Sequence, residues 1–405
     1  MSTAAEFIPK PTHRVYLDNA AATPTDARVV RAMEPYYTEW YANPDALHEE
    51  GVRAAEAVER ARETVARTLG ARTQDVVFTS GGTEANNIAL RGVCAHPSRG
   101  AGSPGAIVVS AIEHSSVRVC AEALRATGVT VHTVPVGADG RVSPNAVRAL
   151  LTEHTALVSI MLVNNEIGTI EPINAIARDI RKYRETHGGV LPYLHVDASQ
   201  APVWMPVSVD SLGADLVTLD GQKCYGPKGI GCLYHRSTVP RTPIMQGGSQ
   251  EFGVRPGTPP TPLIVGFAEA LQLVHTERAS YLPIVWELRN MLAEHLCALP
   301  DVVVNGTTRP DACVAGILNV SFLGVDAERL VIELDARGIA VSSRSACLRD
   351  TARGSGVVAA LGHGAERSES AVRFSLSRFT THDEISAAVQ ATRDAVSWLR
   401  AHPSR

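Results

Sequence analysis

Between Val76 and Tyr234 the chain alternates strand-length apolar runs with helix-length amphipathic ones. Val76–Thr79 is a short β-branched run, closed by the glycine turn Ser80–Gly82 and followed by a helical pattern over Thr83–Val93. Ala106–Ser110 predicts a second strand, with a helix from about Ser115. Ala156–Val163 is apolar along nearly its whole length, as a strand buried on both faces should be. Ile173–Glu185 reads as a helix, and Tyr193–Val196, Leu216–Leu219 and Gly229–Tyr234 as three further strands. Strands that alternate with helices pair mostly in parallel, so the pattern predicts an α/β fold with a mostly parallel central sheet sandwiched by helices. Ligands in such sheets bind outside the carboxyl ends of the strands, so the residues just past each strand are the ones to inspect.

After Pro262 the texture changes. A long helix-like segment runs over Leu263–Val274 and on through Tyr281–Leu299. Apolar segments at Ile317–Phe322 and Ala371–Leu376 follow, with a helix at Ala327–Arg337, a short strand near Ile339–Val341 and a final amphipathic helix over Asp383–Ala401. The expectation is a large α/β domain over 26–262 and a smaller α+β domain built from 1–25 and 263–405. With 45% hydrophobic and 20% charged residues, the chain can bury a substantial core, which excludes wholesale disorder. A balance of 38 Lys+Arg against 42 Asp+Glu, net −4, argues against nucleic acid as the main partner. No stretch approaches the ~20 apolar residues of a membrane span, and the N-terminus is not patterned as a secretory signal. The seven cysteines are scattered and include no CxxC pair, so neither a disulfide framework nor a metal site is expected, and a reduced, cytoplasmic protein is.

Four segments could carry chemistry. In Thr79-Ser-Gly-Gly-Thr-Glu-Ala-Asn86, strand, glycine turn, hydroxyl and helix start can bind a phosphate with backbone N–H groups. The ordinary alternative is a plain strand-to-helix turn with Thr83 as N-cap. In Leu194-His-Val-Asp-Ala-Ser-Gln200, an acid at the end of a buried strand can hold a protonated pyridine nitrogen, or simply cap a helix. In Thr218-Leu-Asp-Gly-Gln-Lys-Cys-Tyr-Gly-Pro-Lys-Gly229, a lysine just past a strand is placed as a Schiff-base lysine, and Lys223 and Lys228 compete for that role with the plain reading of a surface lysine. In Val341-Ser-Ser-Arg-Ser-Ala-Cys-Leu-Arg-Asp350, a thiol sits among small polar residues, and Arg344 and Arg349 would favour its thiolate.

Strung in order, YLDNAAATP, FTSGGTEANN, EHSSV, VNNEIGT, HVDASQ, the lysine segment with YGPKGIG, GGSQEFGVRPGT, SSRSAC and RFSLSRFTT resemble the cysteine desulfurases, which are fold-type I, class V pyridoxal phosphate enzymes. The resemblance covers about Val15 to Ala391, and the SSRSAC loop is similar to that of the long-loop Isc- and Nif-type subgroup. It implies pyridoxal 5'-phosphate as cofactor, a homodimer, L-cysteine as substrate and a sulfur-acceptor protein as partner. Lys223 would hold the cofactor as its Schiff-base lysine and remove the substrate's Cα proton. Gly82 and Thr83 would bind the phosphate, with Thr258 contributed by the other subunit. His114 would stack on the pyridine ring and act catalytically by shuttling protons, Asp197 would pair with the ring nitrogen, and Gln200 would contact the phenolic oxygen. Asn165 would lie near ring and substrate, and Arg373 would hold the substrate carboxylate with its planar fork. Cys347 would be the nucleophile that takes the sulfur as a persulfide while L-alanine leaves.

Two segments depart from the family pattern. Where the family commonly has Ser-Gly-His-Lys, this chain has Asp220-Gly-Gln222-Lys223. Gln222 can still donate to a phosphate, whereas an ionised Asp220 cannot, so either Asp220 points away or Thr218 and backbone donors take over. The family's loop commonly has Gly where Arg344 stands. A selenocysteine lyase, an aminotransferase or a β-lyase would share the fold, and the Cys347 loop separates these, because transamination needs no nucleophilic thiol. A non-catalytic sulfur-relay relative is the third reading, kept open by Asp220 and Gln222.

Overall fold

The computed structural model of the protein describes residues 14–95, 105–343 and 354–403. Cys347, Arg344 and Arg349 lie outside the described residues. After β1 (Val15–Tyr16) come β2 (Val76–Thr79), β3 (Ala106–Ser110), β4 (Thr130–Val134), β5 (Thr155–Ser159), β6 (Tyr193–Asp197), β7 (Leu216–Asp220) and β8 (Gly231–His235). Then follow β9 (Val302–Val304), β10 (Ile317–Phe322), β11 (Ile339–Ala340) and β12 (Ala371–Ser375). By compactness the described residues divide into two units, one of 22–95, 105–165 and 169–280 and the other of 14–21, 166–168, 281–343 and 354–403. One boundary falls inside a single helix, Thr261–Cys297, which continues through Pro283.

The larger unit holds a seven-stranded sheet in the order β2-β8-β7-β6-β5-β3-β4. β4, β3, β5, β6 and β7 run parallel, and β8 runs antiparallel to both β7 and β2. The parallel strands read as apolar runs because they are buried: every residue of β3, β5 and β6 is. Val77, Ile107, Val109, Leu157, Leu216 and Leu233 form one core with Ile88, Leu90 and Val117 from the Gly82–Cys94 and Ser115–Arg125 helices.

One expected element is shorter than its apolar run. The run Ala156–Val163 predicts a strand of that length, yet β5 ends at Ser159. Ile160 and Leu162 still donate to His195 and Asp197 carbonyls on β6, at 3.1 and 2.9 Å. On the other edge β3 has already ended at Ser110, and the Glu113 carboxyl takes the Met161 N–H at 2.9 Å. The run therefore stays buried without a partner strand on both sides.

In the smaller unit β10 lies between β9 and β12 in an antiparallel sheet, and β1 pairs in parallel with β11. The Ala327–Ala336 helix packs on the final His382–Ala401 helix, whose start is fixed by a capping box between Thr381 and Glu384. No described helix is long and apolar enough to cross a membrane.

Candidate active site

β6 ends on Asp197, which is buried and accepts three hydrogen bonds. Oδ2 receives Asn86 Nδ2 at 2.8 Å, and Oδ1 receives the Ser199 amide at 3.0 Å and the Ser199 hydroxyl at 2.6 Å. Because a carboxylate only accepts, Asn86 must present its NH2 here, and the same group also donates to Ser116 Oγ at 2.8 Å. Ser116 Oγ lies 2.8 Å from Nδ1 of His114, and the Ser116 amide donates to that nitrogen at 3.2 Å. A nitrogen that accepts a backbone N–H carries no proton, so Ser116 donates its hydroxyl too, and the ring proton sits on Nε2. Asp197 and His114 are thereby joined through Asn86 and Ser116. The sequence singled out the two ends of this chain and missed its middle, although both middle residues lie inside the motifs FTSGGTEANN and EHSSV.

The phosphate-type turn follows β2. The helix starts at Gly82, and its N-cap is Gly81, not Thr83. Gly81 has φ +147°, which a side chain rarely tolerates, and it provides no capping side chain. The Gly82 N–H donates instead to Asp220 Oδ2 at 3.2 Å. Asp220, at the end of β7, thus points towards this turn and not away from it. Thr218 does not substitute for it: it is fully buried, with Oγ1 3.1 Å from Nε2 of His195. Burial pushes the His195 pKa down to about 4, so that ring is neutral, and Ser159 Oγ lies 2.8 Å from its Nδ1.

Lys223 is half-buried in a tight turn, Gly221–Lys223, while Lys228 is exposed. Thr23 fixes that turn: its N–H and hydroxyl both donate to the Gln222 carbonyl at 2.9 Å, and its Oγ1 accepts the Tyr225 N–H at 2.8 Å. Gly226 is required where it stands, because a Cβ there would lie 2.8 Å from the Gly221 carbonyl oxygen. Gln200, Asn165 and Gln222 are half-buried in the same unit, and Thr258 is exposed.

Arg373 belongs to the smaller unit, on β12, where it is buried with Nη2 2.6 Å from Asp18 Oδ1. Its backbone is bridged to Ser342, Arg373 N–H donating at 2.7 Å. Asp18 is a partner that no sequence pattern assigned, although it stands in the YLDNAAATP motif.

Of the described thiols, Cys120, Cys224, Cys232 and Cys313 are buried, and Cys297 is exposed on a helix. Burial raises the Cys120 pKa to about 11 and also raises Cys232, Cys297 and Cys313, which keeps these thiols protonated and poorly nucleophilic.

Glu113, next to His114, is a buried acid that its sequence context does not mark as unusual. Burial raises its pKa to about 8, against hydrogen bonds to Oε1 from Ser110 Oγ (2.6 Å) and Met161 N (2.9 Å) that lower it. An unfolded glutamate ionises near 4.5, so between about 4.5 and 8 the folded chain holds the extra proton. This contribution to stability is full at low pH and is lost as pH rises through that window. Glu113→Gln keeps the acceptor oxygen and loses the titration. Urea unfolding of this variant should show a shallower fall in stability between these pH values than wild type, with a residual slope from Glu171, which burial also raises to about 8. Identical slopes would mean that Glu113 is ionised in the folded chain.

The Aminotransferase class-V family model matches residues 15–388. The chain belongs to that family. A relative named "Cysteine desulfurase, mitochondrial" from Arthroderma benhamiae is 39% identical over 95% of this chain and 75% of its own length. "Cysteine desulfurase IscS" from Dictyoglomus turgidum is 35% identical over 95% of both chains. A solved structure titled "NIFS-LIKE PROTEIN" is 33% identical with a TM-score of 0.87, covering 95% of this chain and all of that one. Class-V architecture thus spans both units, and the mixed seven-stranded sheet described above matches it.

The donor set fits pyridoxal 5'-phosphate. A buried carboxylate for a pyridine nitrogen, a lysine on a rigid turn and a glycine-lined helix start occupy one unit. Asp220, at that helix start, is a group that opposes an anion.

Proposed function

We propose that the protein is a pyridoxal phosphate-dependent cysteine desulfurase, taking sulfur from L-cysteine, releasing L-alanine and passing the sulfur to an acceptor protein. The observation that carries this reading is the Asp197–Asn86–Ser116–His114 chain, which fixes an acceptor-only group and an Nε2–H donor at the carboxyl ends of β6 and β3. When bound, the cofactor supplies an electron sink for the pair left on Cα after deprotonation.

In this reading Asp197 holds the proton on the pyridine nitrogen. Its carboxylate accepts three hydrogen bonds and so keeps one orientation. His114 would stack on the ring, Gln200 would contact the phenolic oxygen, and Asn165 would lie near the substrate. Gly82 and Thr83 would hold the phosphate, joined by Thr258 of a second subunit. Lys223, on the turn pinned by Thr23, would hold the cofactor and remove the Cα proton. Arg373, oriented by Asp18, binds the substrate carboxylate. The Cys347 thiolate attacks the substrate sulfur; the S–S bond forms as the C–S bond breaks, and Cβ keeps that electron pair and takes a proton. A homodimer suits the exposed apolar side chains Tyr37, Tyr41 and Leu47, the last 98% accessible. The scattered cysteines suit a reducing compartment such as the cytoplasm.

Purified protein with pyridoxal phosphate, L-cysteine and a reductant should form L-alanine and sulfide in equal amounts. Cys347→Ser should lose at least about 100-fold of that rate, as expected for removal of a nucleophile. Equal rates would remove Cys347 from the reaction, and a wild type that makes no alanine would refute the desulfurase reading.

A further inference from the structure

We infer that Asp220 competes with the cofactor phosphate for the head of the Gly82–Cys94 helix, stabilising the apoprotein and weakening cofactor binding. The inference rests on the pyridoxal phosphate site proposed above.

The helix N-terminus favours an anion, since its first N–H groups have no carbonyl partner and its dipole is positive there. Gly81 as N-cap contributes no side chain. Asp220 fills that role from another strand, accepting Gly82 N–H at 3.2 Å on Oδ2. Its carboxylate lies against both glycines: Cβ atoms built on Gly82 and Gly81 would be 3.3 and 3.7 Å from Oδ2. Gln222 holds it in place, with its N–H 3.2 Å from Oδ1 and its side-chain Nε2 3.4 Å from Oδ2.

The groups that could have replaced the missing family serine are therefore engaged elsewhere. Gln222 donates to Asp220, and Thr218 is fully buried against His195. A phosphate carries a charge of about −1.5 to −2 at neutral pH and seeks the same N–H groups. It must either displace the carboxylate from Gly82 or sit beside it against like-charge repulsion. At a separation of about 4 Å near a protein surface, that repulsion is worth up to about a thousandfold in affinity.

The test compares apoprotein of wild type, Asp220→Asn and Asp220→Ser, so that a folding failure in one variant leaves the other. Tryptophan fluorescence titrations measure Kd for pyridoxal 5'-phosphate and, in parallel, for pyridoxal, which lacks the phosphate. Thermal melts measure the apoproteins. The expected result is at least about a tenfold lower Kd for pyridoxal phosphate in the variants, little change for pyridoxal, and a lower apoprotein melting temperature. Unchanged or weaker binding of pyridoxal phosphate by both variants, or an equal gain for pyridoxal, overturns the inference and leaves the cofactor site standing. If neither wild type nor variants bind pyridoxal phosphate, the cofactor reading fails and the inference with it.

Discussion

Asp197→Ala protein should turn over L-cysteine at least about 100- to 1000-fold more slowly than wild type, the loss expected when one preorganised electrostatic group is removed from a buried site. The expectation rests on position and partners. Asp197 is the last residue of β6, buried, and its two oxygens accept from Asn86 Nδ2, Ser199 N and Ser199 Oγ. Those donors hold the carboxylate in one rotamer, as a partner for a protonated ring nitrogen must be held. Asp197→Asn tests the charge with the shape kept. Whichever way its amide is turned, the NH2 faces either Asn86 Nδ2 or the Ser199 donors, so the variant should also lose about 1–3 kcal/mol of stability. Steady-state kinetics and urea unfolding on both variants check the two effects separately. Turnover within tenfold of wild type in Asp197→Ala would end the ring-nitrogen assignment.

Glu251→Gln should destabilise the protein by about 3–5 kcal/mol, the cost of stranding one partner of a buried ion pair. Arg62 and Glu251 meet through two bonds of 2.8 Å, with side chains 5% and 4% exposed. Arg62 Nη1 also donates to the Val76 carbonyl at 2.8 Å, and the Phe78 N–H donates to Glu251 Oε2 at 2.7 Å, which ties the pair to β2. The guanidinium also lies over the Phe78 and Phe252 rings, at 4.8 and 5.2 Å. Glu251 and Phe252 have φ of +49° and +59°, a conformation costly for residues other than glycine. The pair anchors the side chain of the first of these two residues. Urea denaturation checks the prediction, and a loss under about 1 kcal/mol would mean that water reaches the pair. Replacing both residues with apolar ones of similar size should cost less than the two single changes summed.

Much of the larger unit is legible in the order of its residues. β2 and β3 stand where the β-branched runs predict them, and the Ile173–His187 helix starts at its predicted residue. Burial on both faces writes itself into a parallel strand as a continuous apolar run, which is local information. The same information overstates β5, because the run records burial and not pairing, and pairing with β3 has already ended. Thr83 as N-cap fails for a related reason: a hydroxyl before a helix signals a cap only when no glycine with positive φ starts the turn first.

The sequence by itself determined the α/β class, where the strands of the larger unit lie and which titratable residues stand near their ends. Those follow from composition and periodicity within a dozen neighbouring residues. Only the tertiary structure decided what those side chains touch. Asn86 joins Asp197 across 111 residues, Asp220 reaches Gly82 across 138, and Arg62 finds Glu251 across 189. Such pairings depend on strand order and helix placement, and a hydrogen bond made or missed by an ångström leaves no trace in periodicity. The Asp220 position shows the difference most sharply. Its place in the sequence allows the acid to point either way, and the fold turns it onto the helix start that a phosphate would use.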